Sequence, residues 1–345
     1  MAYTTINKST AHFNTNLWLG NTSGQTISGV GFKPDLNWSK CRSNGYSHQL
    51  IDSVRGITKQ LNSNDSQPEG TNANGITAFN SDGYSIGTQP EFSNNGNTFA
   101  GWSWKGGGTA SSNTNGSITS SVSANPTAGF SISKYTGTGS NATVGHGLGA
   151  VPKMIIVKKL SGADSWTIYH ASLGATKKIN FDTGAEGTQS DRWNDTSPTS
   201  SLFTVGTNGS VNASSGTYIA YCFAEKQGYS KFSSYEGNGN ADGTFIYTGF
   251  KPAWLMIKRA VGGSDRWVII DNKRNSFNVS NTGLYADDAQ VENSTTSEQG
   301  LDILSNGFKI RNSNTKTNTS GAKYIYMAFA KAPLVGTNNV PCTAK

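Results

Sequence analysis

Three stretches of the chain carry the same short pattern, and that recurrence limits what the chain can fold into. GFKPDLNWSK starts at Gly31, LGAVPKMIIVK at Leu148 and GFKPAWLMIK at Gly249. In each, a proline (Pro34, Pro152, Pro252) stands six residues before a lysine (Lys40, Lys158, Lys258). The match extends outwards. An aromatic followed two residues later by glycine lies upstream each time: Trp18–Gly20, Tyr135–Gly137 and Tyr235–Gly237. Downstream come SHQLID, SWTIYH and RWVIID, then the aromatic runs TFAGWSWK, TYIAYCFAEK and KYIYMAFAK. The pattern predicts one module of roughly 100 residues written three times, a size that can bury its own core.

The modules fall at 1–105, 130–226 and 229–331. A segment rich in Gly, Ser, Thr and Asn lies between the first two (106–129), and a tail follows at 332–345. The 106–129 segment reads as a flexible or extended linker that lets module 1 take its own orientation. Only Gln227 and Gly228 separate modules 2 and 3, which predicts a rigid pair. Within each module hydrophobicity alternates with period two, as in Tyr218 to Ala224, and no window sustains a 3.6-residue period. Asn-Gly and Asp-Gly steps, as in NSDGYSIG and SNGFKI, mark turns before strands. The expectation is an all-β chain: three tandem antiparallel β-sandwich repeats of jelly-roll or lectin-like form, with helix only in short pieces. Short apolar runs such as Trp254 to Ile257 read as strands covered on both faces.

Few residues carry chemistry that recurs. Asp52 and Arg55 form Asp-x-x-Arg, and Asp271 and Arg274 repeat it, whereas module 2 has His170 and Leu173 there. Because module 2 folds without the pair, a structural ion pair fixing a loop is the favoured reading. Trp104, Phe223 and Phe329 share one column and are expected in the core; Trp166 and Trp267 share another, with His48 in module 1. Trp38, Trp193 and Trp254 are less regular and stand as candidate platforms for stacking on a sugar ring. The four histidines share no metal-ligand spacing, and NGNADG fails as a calcium loop because Gly249 stands where the last ligand is needed. No nucleophile elbow, phosphate loop or recurring carboxylate pair is present, so no catalytic residue, cofactor or metal is assigned and a non-enzyme is expected.

The formal net charge is +7, with lysines and arginines scattered rather than striped, which points away from nucleic acid and towards an acidic partner. No apolar run is long enough to span a membrane. The polar start MAYTTINKST reads as no signal peptide, which fits manufacture in a cytoplasm and assembly or release without secretion. Three cysteines at non-equivalent positions read as free thiols.

GFKPD at Gly31–Asp35, DSVRGITKQL at Asp52–Leu61, FNSDGYSIG at Phe79–Gly87 and the ending VGTNNVPCTAK together resemble a known group. They are similar to virion structural proteins of marine tailed phages, cyanophage-like, with repeated GFKPD/DSVRG lectin-like β modules. Modules 2 and 3 depart from the GFKPD/DSVRG wording, so no single residue's role is carried over. The resemblance implies a virion component on the particle exterior, most simply a tail fibre or tail-associated protein with a role in host attachment. A capsid decoration protein is the alternative, and a non-enzymatic glycan-binding lectin a second one. The partners it implies are other virion structural proteins, further copies of the chain as a homo-oligomer, and host-surface glycans.

Overall fold

Period-two alternation builds sheets whose two faces meet different neighbours, and this organises the molecule. The computed structural model describes residues 3–182 and 184–336. Each module contributes an inner sheet with the same four strands in the same spatial order. The entry strand (Phe13–Leu19, Phe130–Thr136, Ser230–Glu236) pairs with the closing strand (Thr98–Trp104, Thr217–Ala224, Lys323–Pro333). The closing strand pairs in turn with the strand of the recurring Pro–Lys pattern (Leu36–Cys41, Pro152–Lys159, Phe250–Arg259). A fourth strand follows it (Gln49–Asp52, Thr167–His170, Val268–Asp271). All these pairings are antiparallel. A smaller outer sheet packs over each. In module 1 it is Gln25–Ser28, Gly83–Ile86 and Ile76–Asn80; in module 2, Ala142–Gly145 and Leu202–Val205; in module 3, Phe245–Tyr247, Gly307–Ile310 and Leu301–Leu304. First strand lies beside last, and second beside last but one, the nesting of a jelly roll. Among the described residues helix is confined to single turns, such as Pro90–Ser93 and Gly209–Asn212.

The inner strands alternate between two cores. Ile155 and Val157 point into module 2's own sandwich with Phe203 and Val205, and Leu255 and Ile257 do the same in module 3 with Ile303 and Phe308. Module 1's smaller core gathers Ile27, Ile51, Ile76, Tyr84 and Phe92. The other parity faces inward: Leu36 and Trp38, Met154 and Ile156, Trp254 and Met256 all belong to one central core shared by the three modules. At its heart Trp104, Phe223 and Phe329 form a triangle, with ring centroids 6.4 Å, 5.7 Å and 6.1 Å apart. These are the column expected in the core, each at most 2% exposed. Three equivalent side chains in mutual contact define a pseudo-threefold axis.

This arrangement corrects the expectation of a free-swinging module 1. The segment 106–129 is not a flexible linker. Ser111–Asn113 and Ser120–Asn125 are strands that extend module 2's sheet beyond its entry strand, with Ser121 opposite Lys134 and Asn125 opposite Phe130. Gly129, at φ +69°, closes the turn from Ser120–Asn125 into the entry strand Phe130–Thr136. The segment is pinned to module 1 as well, since buried Asp35 accepts hydrogen bonds from Gly106 N (2.8 Å) and Gly108 N (3.4 Å). The chain start also crosses seams. Tyr3 Oη donates to Gly249 O (2.7 Å), Thr4 Oγ1 donates to Gln227 O (2.8 Å), and Ile6 is buried in the central core. At the other end the closing strand runs through Pro333, past the expected boundary at 331; most of the tail, Cys342 included, lies outside the described residues.

Candidate functional site

The recurring lysines are the first residues to place. Lys40, Lys158 and Lys258 are buried at the ends of the Pro–Lys strands and satisfy their ammonium groups with loop carbonyls. Lys40 Nζ donates to Cys41 O (2.6 Å) and Asn44 O (3.2 Å), and Lys158 Nζ to Asp164 O (2.5 Å). Lys258 Nζ donates to Asp265 O and, across a seam, to Asp182 O (2.9 Å). Burial pulls each pKa down to about 8, against the pull of nearby carboxylates. Their surroundings are loop backbone, and their role is to hold the loop that follows the strand.

The Asp-x-x-Arg pairs are present as expected, and they are entirely buried. Arg55 Nε donates to Asp52 Oδ2 (2.5 Å), and Arg274 Nε to Asp271 Oδ2 (2.6 Å). The other carboxylate oxygen accepts two backbone amides: Val54 N and Arg55 N at Asp52, Lys273 N and Arg274 N at Asp271. Burial alone would raise the pKa of Asp271; the charge and hydrogen bonds of Arg274 outweigh it and hold it below the ordinary value.

Each carboxylate also takes a bond from the next module. Tyr221 Oη of module 2 donates to Asp52 (2.7 Å), and Trp102 Nε1 of module 1 donates to Asp271 (3.0 Å). Trp102, Tyr221 and Met327 occupy equivalent places on the closing strands, each two residues before the triangle. Module 2 faces Met327, which has no hydrogen to donate, and there the acid is replaced by His170. Its Nε2 lies 3.3 Å from Tyr326 O, and its Nδ1 accepts from Ser172 N (3.2 Å). Leu173, in place of the arginine, packs against the central core. The departure of module 2 from the motif thus follows from what its neighbour can offer.

Two further columns close the same ring in the same direction. Trp166 Nε1 donates to Asn62 O (2.8 Å) and Trp267 Nε1 to Asn180 O (2.7 Å); His48 Nε2 meets Tyr285 O (2.8 Å) at the third seam. Glu69 N donates to Leu160 O, Glu186 N to Ala260 O, and Glu292 N to Arg42 O. The last seam adds a bidentate Arg42–Glu292 pair, both contacts 2.8 Å. Module 1 meets 2, 2 meets 3 and 3 meets 1 through head-to-tail contacts that close, an arrangement usually made by three subunits.

The three tryptophans proposed as sugar platforms are not surface residues. Trp38, Trp193 and Trp254 are 3%, 1% and 0% exposed. Trp38 donates to His48 Nδ1 (2.9 Å), Trp193 packs edge-on against Tyr169, and Trp254 borders the axial triangle. Trp38 and Trp254 are core because a face that would look outward in an isolated sandwich is covered here by neighbouring modules, and Trp193 because the helical turn Ser190–Trp193 that carries it points it into module 2's own sandwich. The large aromatics that do reach the surface are Phe245, Tyr247 and Phe277. A gap of about 10 Å³ on the central axis, walled by Leu36, Trp104, Ile156 and Met327, is apolar and too small for a ligand.

Two open clefts lie where a closing strand leaves the triangle and meets the entry strand of the next module. One, of about 440 Å³, sits between modules 1 and 2, bordered by His12, Lys33, Lys105 and Asn125. Its counterpart between modules 3 and 1, about 260 Å³, is bordered by Lys8, Thr15, Asp82, Lys273 and Lys331. Among the described residues no group of three or more His, Cys, Asp or Glu is placed to hold a metal, and no helix is long and apolar enough to cross a membrane. Cys41 and Cys222 are free and buried.

The fold and seams define an all-β body of three sandwiches locked around one core. The chain belongs to the family described as a domain of unknown function, DUF7483, whose sequence model matches residues 8–333. That span takes in all three modules and the segment between the first two, so the family's sequence unit covers the whole trio. No curated protein matches the chain.

Proposed function

We propose that the protein is a structural component on the exterior of a tailed-phage particle, most simply tail-associated, and that it contacts the host surface without consuming a substrate. The observation that carries this reading is the closed ring. Three sandwiches share one core and are joined at every seam by buried polar contacts, giving a rigid body with a pseudo-threefold axis. Such a body suits a place on a symmetric assembly, where a fixed shape matters more than a moving part. The resemblance of GFKPD, DSVRG and FNSDGYSIG to phage virion modules supports the same reading. Lys40, Lys158, Lys258, His48, His170 and Asp271, whose pKa values burial or pairing displaces, are held by backbone and neighbouring modules, and none of them lines either cleft.

A capsid decoration protein is the second reading, favoured by the same axis, since a head lattice offers threefold points and the chain carries a net charge of +7. Gold labelling of the protein on intact particles separates the two. Label at the tail supports the first reading, label over the head supports the second, and particles without label defeat both. Release of reducing sugar from host polysaccharide by the purified protein would replace either with an enzyme.

A further inference from the structure

The cleft between modules 3 and 1 is the one junction in the ring where the closing strand of one module and the entry strand of the next are not joined by the chain. Lys331 ends one side and Lys8 begins the other, and Lys273, next to Arg274 in the Asp-x-x-Arg loop, completes the rim. All three lysines are exposed, and among the described residues none has a carboxylate partner. The one carboxylate on the rim, Asp82, is occupied by Gly29 N (3.1 Å) and Gly31 N (2.6 Å). The wall holds a second, independent feature. Thr15 is 4% exposed, and its Oγ1 has no hydrogen-bond partner. A buried hydroxyl left unpaired is costly, and this one lies just beneath the wall of the cleft, where an incoming group that displaced the wall slightly would relieve that cost.

We propose that this cleft binds a small hydroxylated anion, a sugar bearing a carboxylate or sulfate, either free or as the end residue of an acidic polysaccharide. The lysines supply charge at the mouth, and Thr15 Oγ1 offers both a donor and an acceptor to a ring hydroxyl. Ala253 provides a small apolar patch of wall for the C–H face of the ring, backed by the buried Ala330 and Phe13. The inference rests on the cleft alone and stands whether or not the protein sits on a virion.

The test is an NMR titration of the full chain with glucuronate, glucose and a glucuronate-ended oligosaccharide, following the amides of Thr15 and Gly31. Saturable shifts with glucuronate, weakened by salt and absent with glucose, are expected. Lys273→Gln with Lys331→Gln should weaken binding roughly tenfold or more, because charge-assisted hydrogen bonds are lost. Thr15→Ala should weaken it too while leaving the melting temperature unchanged or higher, since the hydroxyl has no internal partner to lose. Tighter binding of the oligosaccharide than of the free acid would identify a polysaccharide end as the ligand; equal binding would identify the free acid sugar. No saturable shift with either acid, equal binding of glucose, or full affinity in the double lysine variant overturns the proposal. Sugar binding that persists when host attachment is absent would sink the adhesion reading and leave the cleft standing.

Discussion

At Asp52 the carboxylate satisfies four hydrogens at once: two amides, Arg55 and Tyr221. Removing one donor from a fully buried charge costs more than a neutral hydrogen bond returns. Tyr221→Phe should therefore lower stability by about 1–3 kcal/mol, seen as a shifted urea midpoint. Met327→Leu, at the equivalent place where no acid waits, should be nearly neutral. Equal effects of the two would mean that the seam bond does nothing. The histidines make a second prediction. His48 and His170 each use Nδ1 as an acceptor and aim Nε2 at a carbonyl, which requires the neutral ring. Burial lowers both pKa values, His170 to about 4 from an ordinary 6.5. Between those values the unfolded chain binds a proton that the folded chain refuses, so stability is full above pH 6.5 and falls as pH drops towards 4. The melting temperature should already decline between pH 6.5 and 5, above the range where ordinary carboxylates titrate, and His170→Gln should blunt the decline. A flat profile over that interval would show that the rings accept protons without strain.

The strands are where the sequence was most legible. Recurrence at fixed spacing placed the Pro–Lys strand, the fourth strand and the closing strand of every module, because each strand's pattern is set by its own two faces. The aromatic column Trp104, Phe223 and Phe329 was readable for the same reason, and the Asp-x-x-Arg pairs because partners three residues apart meet locally. What stayed hidden is what depends on contacts between modules. Ser111–Asn113 and Ser120–Asn125 look like linker because few apolar residues are needed at a sheet edge; Val122 is the one hydrophobe of the longer strand to be buried. Trp38 and Trp254 look available because nothing local says that another module covers them. Tyr221 and Trp102 gave a signal that went unused: each is polar-tipped where its equivalent in module 3, Met327, is not, and the two acids recur only opposite those tips. Thr15 and the lysine rim gave none, since they come together only when modules 3 and 1 meet.

For the molecule as a whole, the shared core makes the three modules one cooperative body. An isolated stretch from Phe130 to Gly336 would keep its two sandwich cores but lose Phe13, Leu36, Trp38, Leu50, Trp102 and Trp104 from the centre. The surfaces left bare would include Phe223, Trp254 and Phe329, joined into an apolar patch far larger than soluble proteins tolerate. Tyr221 would lose Asp52, and Asp271 would lose Trp102 and keep Arg274 as a partner exposed to water. The chain's other expectation, that modules 2 and 3 form a rigid pair beside an independent module 1, leads to the opposite outcome. Expressed alone, residues 130–336 should aggregate or bind a dye specific for apolar surface, and the full chain should melt in a single transition. Co-expression with residues 1–129 should restore a soluble complex, because the seam contacts need no covalent link between the parts, as the junction of modules 3 and 1 already demonstrates. A piece comprising 130–336 that stays monomeric, binds no dye and melts cooperatively would show that the ring is an association of independent domains, and that the central core contributes little to folding.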